Sequence, residues 1–267
     1  MPKRAALEPG GSSDSRPDYA ATVAGADIVY FPVERAASGA RSEPAALLLE
    51  AFQTSGTPFA IAWDIIGADQ QPLLDEFASQ KLAGDDKLIT RLDIGGTSRA
   101  REHCRAVLRE TQAAGIHHLA LRPSQRQGAS GISDSEVEQQ STLRFRSPPS
   151  GLETYAERMT AAESLSGRDV AASYQARVAS QQFAATQIVR FFQTRGVPKL
   201  LVFMQTGDLE GSDGVPFYVA QKLQLRQVVL GPNAPRGSAA KLLTRSGGSD
   251  YRRRFQIVDG APVTRRE

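Results

Sequence analysis

Short apolar runs alternate with longer amphipathic segments along most of this chain. The runs are rich in β-branched residues and end at proline, glycine or polar residues, as buried strands do. In the longer segments, apolar residues recur every three or four positions, which is the spacing of one helix face. The pattern predicts strands at 26–32, 57–66, 116–123, 197–205 and 225–231, and an edge strand at 253–260 after a loose stretch at 231–250.

Helices are predicted between these strands, at 42–55, 68–82, 99–114, 152–165, 168–194 and 214–223. The alternation predicts an α/β fold, with a mostly parallel, mixed-edge β-sheet and helices on both faces. We expect residues 1–17, rich in Gly, Ser and Pro, to be a disordered lead-in and 18–267 to be a single α/β domain. The polar stretch at 124–150 is predicted to be a mobile surface insertion.

Composition narrows the function classes only a little. The net charge of +3 is too small to indicate nucleic-acid binding by itself. A single cysteine, Cys104, excludes an internal disulfide bond, and three histidines are too few for a histidine-rich metal centre. No apolar run is long enough for a signal peptide or a transmembrane helix, and the N-terminal stretch has no lipoprotein cysteine. We therefore expect a cytoplasmic protein without a membrane partner.

Polar residues stand at the ends of three predicted strands, where α/β proteins keep their binding sites. Glu34 and Arg35 follow the first strand, Asp64 lies near the end of the second, and Asp208 follows the strand at 197–205. Three carboxylates would suit Mg²⁺, Ca²⁺ or Mn²⁺ better than zinc. Alternatively, the two aspartates cap helices or accept turn amides, and Glu34 and Arg35 form a solvated pair. We expect these strand ends to converge, bringing one of the first two residues and both aspartates to one rim.

Other chemically reactive residues give weaker indications. His103 and Cys104 are neighbours on a predicted helix and point about 100° apart, so they do not form a nucleophile–base pair. His117 and His118 alternate across a predicted strand, which places one of them in the core. Tyr30 lies inside the first strand and is interpreted as a core residue, although tyrosine is a known haem ligand.

The C-terminal region carries a basic stretch, in which Arg252–Arg254 stand between Tyr251 and Phe255. Such a stretch is compatible with contacts to phosphates and bases. Alternation along an edge strand would instead make these arginines a charged edge that prevents aggregation. We favour the edge interpretation over a nucleic-acid interface.

Four stretches of the sequence resemble one known family: GADIVYFPVER, FAIAWDIIGADQQPLLDEF, YQARVASQQFAATQIVRFF and PKLLVFMQTGDLEGSDGVPFYVAQKL. Their order and spacing are similar to those of the ChaN-like haem-binding uptake family of the Tiki superfamily, over residues 18–231. The resemblance implies an α/β fold, a role in iron uptake, and haem ligation or metal-assisted chemistry.

The positions that carry this family's polar motifs differ here. Pro-Val-Glu-Arg at 32–35 stands where the family has Gly-Glu-x-His, and Gln-Thr-Gly-Asp at 205–208 stands where it has Gly-x-Gly-His. Asp64 replaces the family's glutamate. Proline fixes φ and lacks an N–H group, whereas glycine lets a ligand approach the backbone closely. These differences predict a degenerate active site and argue against catalysis.

We therefore expect a non-catalytic protein that binds a ligand or a protein partner at the family's cleft, through Glu34, Arg35, Asp64 and Asp208. Arg35 favours a small anionic ligand, because guanidinium donates hydrogen bonds and never accepts them; haem is one candidate, through a propionate. Two alternatives stay open, a metal-dependent hydrolase with a rebuilt carboxylate site and a nucleic-acid binder acting through the basic C-terminus. The sequence leaves the identity of the cofactor and the formation of homo-oligomers open.

Overall fold

The structure is a computed structural model that describes residues 18–33, 43–79, 86–124, 143–148, 151–160, 167–209, 214–230 and 240–243. Its strands are β1 Ile28–Pro32, β2 Phe59–Gly67, β3 His117–Arg122, β4 Lys199–Met204, β5 Gln227–Leu230 and β6 Ala240–Leu243. Its helices are α1 Tyr19–Gly25, α2 Glu43–Thr54, α3 Gln71–Ser79, α4 Asp86–Arg91, α5 Ser98–Gln112, α6 Gly151–Thr160, α7 Gly167–Thr194, α8 Thr206–Leu209 and α9 Val215–Ala220.

The strands in the described part of the chain form one sheet in the order β3-β2-β4-β1-β5-β6. The first five run parallel to one another, and β6 pairs antiparallel with β5. β1 and β4 are buried at every residue, as strands covered on both faces are. The predicted α/β fold with a mostly parallel, mixed-edge sheet is confirmed.

Helices cover both faces of the sheet, and successive residues of a strand point to opposite faces. Ile61 and Trp63 of β2 pack in one apolar cluster with residues of α2, α3 and α5, on what we call the α2/α5 face. Ala60 and Ala62 pack in a second cluster with residues of α7 and α9, on the α7/α9 face. The alternation directs the next side chain, that of Asp64, towards the α7/α9 face.

The order of the strands reverses at β4. The chain passes from β1 to β2 and on to β3 at one edge of the sheet, and then returns to place β4 between β2 and β1. The connections cover the α2/α5 face before this reversal and the α7/α9 face after it. In open α/β sheets, ligands bind outside the carboxyl ends of the strands at such a reversal. The carboxyl ends of β2, β4 and β1 are therefore the first place to look for a site.

The structure has an antiparallel edge strand that the sequence did not predict. The structure has β6 at Ala240–Leu243, inside the stretch that we expected to be loose, and it pairs Leu242 with Val228 of β5. A four-residue strand flanked by Gly, Ser and Pro gives almost no periodic signal, and it forms because β5 offers an open edge. The predicted strand at 253–260, like the basic stretch around it, lies outside the described residues.

Three short helices, α1, α4 and α8, were not predicted, because four to seven residues are too few to show a helical period. The predicted lead-in at 1–17 lies outside the described residues, as does most of the insertion at 124–150. Its described segment, 143–148, is fixed against α9, where Gln221 exchanges two hydrogen bonds of 2.9 Å with the backbone of Arg146. No helix in the described part of the chain combines the length and apolar character needed to cross a bilayer.

Candidate functional site

Asp64 lies on β2 at the reversal of strand order. Its side chain is only 8% exposed, and the backbone N–H of Gln205 donates to its Oδ2 atom at 2.5 Å. The carboxylate thus ties the end of β2 to the turn that follows β4. This is the contact expected from the alternative interpretation, in which Asp64 accepts a turn amide.

Asp208 lies in α8, directly after that turn. Its Oδ1 atom accepts a hydrogen bond of 2.9 Å from Nε2 of Gln181 and is 3.8 Å from Nε of Arg177. Arg177 also donates to the carbonyl of Gly207 at 2.5 Å and lies over the ring of Tyr155, 5.5 Å from its centroid. Asp208 is therefore positioned from α7, by one amide and one guanidinium.

Both aspartates line a single cleft of about 180 Å³, which we call the Asp64–Asp208 cleft. Gln181 also lines it and is 1% exposed. Because Nε2 of Gln181 donates to Asp208, the orientation of the amide is fixed, and Oε1 has no hydrogen-bond partner among the described residues. A buried amide oxygen without a partner is costly, which makes this cleft a candidate binding site.

Glu34 and Arg35 lie outside the described residues. The described chain ends at Val33, whose N–H donates to the carbonyl of Met204 at 2.8 Å, so the carboxyl ends of β1 and β4 lie side by side. The predicted meeting of Asp64 and Asp208 at one rim is observed. The participation of Glu34 and Arg35 stays a prediction.

The only tryptophan of the chain and a buried histidine form a hydrogen-bonded chain on the α2/α5 face. Nε1 of Trp63 donates to Nδ1 of His118 at 3.1 Å, so the proton of the neutral imidazole is on Nε2, which lies 2.9 Å from Oγ1 of Thr111. Thr111 in turn donates to the carbonyl of Val107 at 2.7 Å. Burial lowers the pKa of His118 to about 3. His118 is the predicted core histidine, and His117 is exposed.

His103 and Cys104 show no nucleophile–base arrangement. Cys104 is fully buried, and burial raises the pKa of its thiol. The ring of His103 packs 6.1 Å from that of Trp63 and 5.1 Å from that of Phe203, on the α2/α5 face. Burial lowers its pKa to about 4. Cys104 belongs to the core, and His103 is partly buried against it.

Tyr30 is also a core residue, as interpreted from the sequence. It is fully buried, its hydroxyl donates to Oε1 of Gln227 at 2.7 Å, and burial raises its pKa well above the usual value. Such a group does not supply a phenolate to an iron atom. In the part of the chain that the structure describes, no group of three His, Cys, Asp or Glu residues could hold a metal ion.

Sequence reasoning missed a second cleft at the same edge of the sheet. It has a volume of about 710 Å³, and its lining includes Arg91 from α4, Asp93, Gly95 and Arg122 from the end of β3; we call it the Arg91–Arg122 cleft. Arg122 also lines the Asp64–Asp208 cleft. The place of Arg122 at the end of a predicted strand could have indicated a binding residue, but Arg122 lies outside the family motifs.

Comparisons with known proteins find the fold but no family. No family model and no curated protein matches the sequence. Among solved structures, the ChaN protein of Campylobacter jejuni, determined with cofacially bound haem, matches with a TM-score of 0.58 and 13% identity over 80% of this chain and 84% of that one. The chain has a ChaN-like fold.

Two bacterial toxins match less well. The RRSP effector domain of a MARTX toxin from Vibrio vulnificus CMCP6 gives a TM-score of 0.41 at 12% identity, over 88% of this chain and 38% of that one. The C-terminal region of the Pasteurella multocida toxin gives 0.38 at 15% identity, over 84% and 25%. At 13% identity, the ChaN match confirms the fold that the sequence resemblance implied and says nothing about the residues of the site.

Proposed function

We propose that this protein binds haem or another small anionic molecule at the carboxyl edge of its sheet, with one end of the ligand in the Asp64–Asp208 cleft. The supporting observation is Gln181, whose buried Oε1 atom has no hydrogen-bond partner among the described residues, in a cleft at the reversal of strand order. A ligand that donates a hydrogen bond to this oxygen removes the cost of burying it unpaired.

The ligand also needs a cationic partner for its anionic group. Arg122 lines the Asp64–Asp208 cleft, and Arg35 follows β1 by three positions in the sequence. A guanidinium group binds carboxylate or phosphate through two parallel hydrogen bonds. In this proposal Glu34, Asp64 and Asp208 accept hydrogen bonds from hydroxyl or amino groups of the ligand, or from one propionic acid group of haem in its protonated form, and Arg35 binds the anionic group.

Haem is the first ligand to test, because a protein of the same fold, ChaN of Campylobacter jejuni, binds it. A cleft of about 180 Å³ is smaller than the usual small-molecule site of about 300–1,000 Å³. It therefore admits one end of a porphyrin, and the rest of the macrocycle lies across the edge of the sheet.

The test is a titration of the protein with haem, followed by visible absorbance and by quenching of the Trp63 fluorescence. We expect saturable binding that Arg35→Ala and Gln181→Met each weaken about tenfold, the effect of losing one hydrogen bond with a charged or buried partner. The control is Arg226→Ala, because Arg226 pairs with Asp27 at the opposite, amino edge of the sheet, at 3.1 Å. Absence of saturable binding, or equal binding by all four proteins, contradicts the proposal.

A second candidate is a divalent-metal site serving hydrolysis. It is favoured by one observation, that Asp64, Asp208 and Gln181 line one cleft, since carboxylate and amide oxygens suit Mg²⁺ or Mn²⁺. Calorimetric titration with Mn²⁺ tests it. Stoichiometric binding that Asp208→Asn abolishes would favour this candidate over the haem site.

A further inference from the structure

The Arg91–Arg122 cleft has walls that the backbone holds in place. Ile94 forms an antiparallel bridge with Ile66, and the N–H of Gly95 donates to the carbonyl of Ile65 at 2.7 Å. These contacts fix the segment before α5 across the end of β2. The cleft volume of about 710 Å³ falls within the range of small-molecule sites.

Gln70, which is 9% exposed, forms hydrogen bonds on the acidic side of the cleft. Its Nε2 atom donates to Oδ2 of Asp69 at 3.1 Å, and its Oε1 atom accepts from the N–H of Asp93 at 3.4 Å. One amide thus connects the turn after β2 with the segment that follows α4. The carboxylate of Asp69 and the backbone of Asp93 are thereby held on the wall of the cleft.

The guanidinium group of Arg122 packs against Gly95. A Cβ atom on Gly95 would lie 2.3 Å from Nη1 and 3.6 Å from Cζ of Arg122, so the guanidinium group occupies the space that any larger residue would fill. In the sheet, Arg122 pairs with Gly67, where the register of β2 and β3 shifts. Arg122 is half-buried, so an anion beside its guanidinium group is screened less by water than at an open surface.

We propose that Arg122 and Arg91 bind the anionic group of a small molecule in the Arg91–Arg122 cleft. The paired donors of a guanidinium group match a phosphate or a carboxylate. Asp69 and Asp93 stand in the same cleft and accept hydrogen bonds, so they favour a ligand whose hydroxyl or amino groups lie next to the anionic group. This site is separate from the proposed haem site, although Arg122 lies between them.

Calorimetric titration of the whole chain with inorganic phosphate, glycerol 3-phosphate and succinate tests the proposal. We expect saturable binding of phosphate. Glycerol 3-phosphate should bind more tightly, because its hydroxyl groups reach the aspartates. The affinity for succinate, compared with that for phosphate, separates carboxylate from phosphate recognition. Arg122→Met keeps the apolar stem of the side chain and is expected to weaken phosphate binding at least tenfold.

Two glycine variants separate the position of the guanidinium group from its charge. Gly95→Ala leaves Arg122 charged but displaces it, and is expected to weaken phosphate binding several-fold. Gly67→Ala is the matched control, because its Cβ would lie 2.5 Å from Oδ1 of Asp69 and displaces a carboxylate instead. We expect that variant to keep phosphate binding and to lose the advantage of glycerol 3-phosphate.

Three results would overturn the proposal. They are no saturable binding of any of the three anions, equal binding by wild type and Arg122→Met, and equal losses in Gly95→Ala and Gly67→Ala. Gln181→Met leaves this cleft intact, so its phosphate binding is expected to match that of wild type. A failure of the haem proposal is thereby distinguished from a failure of this one.

Discussion

Trp63 and Asp64 are neighbours on β2 but point to opposite faces of the sheet, and Trp63 belongs to a closed hydrogen-bonded chain whereas Asp64 lines a cleft. On the α2/α5 face, the hydrogen-bonded chain from Trp63 through His118 and Thr111 ends on a backbone carbonyl, and each polar atom along it has a partner. On the α7/α9 face, Gln181 keeps an amide oxygen with no partner among the described residues.

The difference separates a structural polar network from a candidate binding site. A buried network in which every group is paired stabilises one arrangement of the core and leaves nothing for a ligand. A buried acceptor without a partner, in a cleft at the reversal of strand order, has capacity for one. Variants of the hydrogen-bonded chain of Trp63, His118 and Thr111 are therefore expected to change stability, and variants of Gln181 to change binding.

The largest effect is expected for His118→Ala. This change opens a cavity and leaves the indole N–H of Trp63 without its acceptor, so the free energy of unfolding should fall by about 3 kcal/mol or more. Urea denaturation followed by far-UV circular dichroism measures it. Haem affinity of the folded protein should stay within about twofold of wild type, and a large loss would assign the histidine to the ligand site.

Acid is expected to destabilise the protein through His118 and His103. The folded-state pKa values of about 3 for His118 and about 4 for His103 lie below the unfolded value of 6.5, so the unfolded state binds more protons below pH 6.5. Stability should therefore fall as the pH drops from 6.5 towards 3, by up to about 1.4 kcal/mol per pH unit for His118.

The urea midpoint, measured between pH 7 and pH 4, tests this expectation. His103→Phe keeps an aromatic ring beside Trp63 and removes one of the two titrating groups, so its stability should depend less steeply on pH. If the urea midpoint of His103→Phe depends on pH as steeply as that of wild type, the acid sensitivity belongs to other residues.

A smaller change in stability is expected for Asp64→Asn. Asparagine keeps an oxygen that can accept from the backbone of Gln205 but loses the charge, which should cost about 1 kcal/mol. Asp64→Leu removes the acceptor altogether and should cost about 1–3 kcal/mol, because the amide of Gln205 then loses this partner. Equal losses from the two variants would show that the hydrogen bond to Gln205 contributes nothing.

The smallest change in stability is expected for Gln181→Met. It removes the hydrogen bond to Asp208 and also the unpaired oxygen, so the two effects oppose each other and the net change should stay within about 1 kcal/mol. Haem affinity should nevertheless fall about tenfold. Thermal unfolding monitored with and without haem gives both the stability and the haem affinity of this variant. A large loss of stability with unchanged haem binding would assign Gln181 a structural role and contradict its place in the binding site.

The sequence predicted the layers of this fold well, because its core strands are long, apolar and separated by periodic helices. The meeting of Asp64 and Asp208 followed from their places at strand ends, without any knowledge of the helices around them. The alternation of His117 and His118 along a strand predicted that one of the two lies in the core. The structure shows that this residue is His118 and that its ring nitrogens pair with Trp63 and Thr111.

The rest depended on tertiary contacts that leave no local pattern. Gln181 belongs to the polar positions of a long amphipathic helix, and only the packing of α7 on the sheet buries its amide beside Asp208. Arg122 gains its position from Gly95, a residue 27 positions earlier in the chain. β6 was missed because its formation depends on the open edge of β5 and not on its own four residues.

The central claim is that a ligand enters the Asp64–Asp208 cleft and leaves the Trp63–His118 side of β2 unchanged. Amide NMR spectra recorded with and without zinc protoporphyrin, a diamagnetic analogue of haem, test it directly, because the chain has a single tryptophan and hence one indole N–H signal. The account predicts the largest shifts at the backbone amide of Gln205 and the side-chain amide of Gln181, and a much smaller shift at the Trp63 indole. The largest shifts at that indole, or at the amino edge around Arg226, would contradict it.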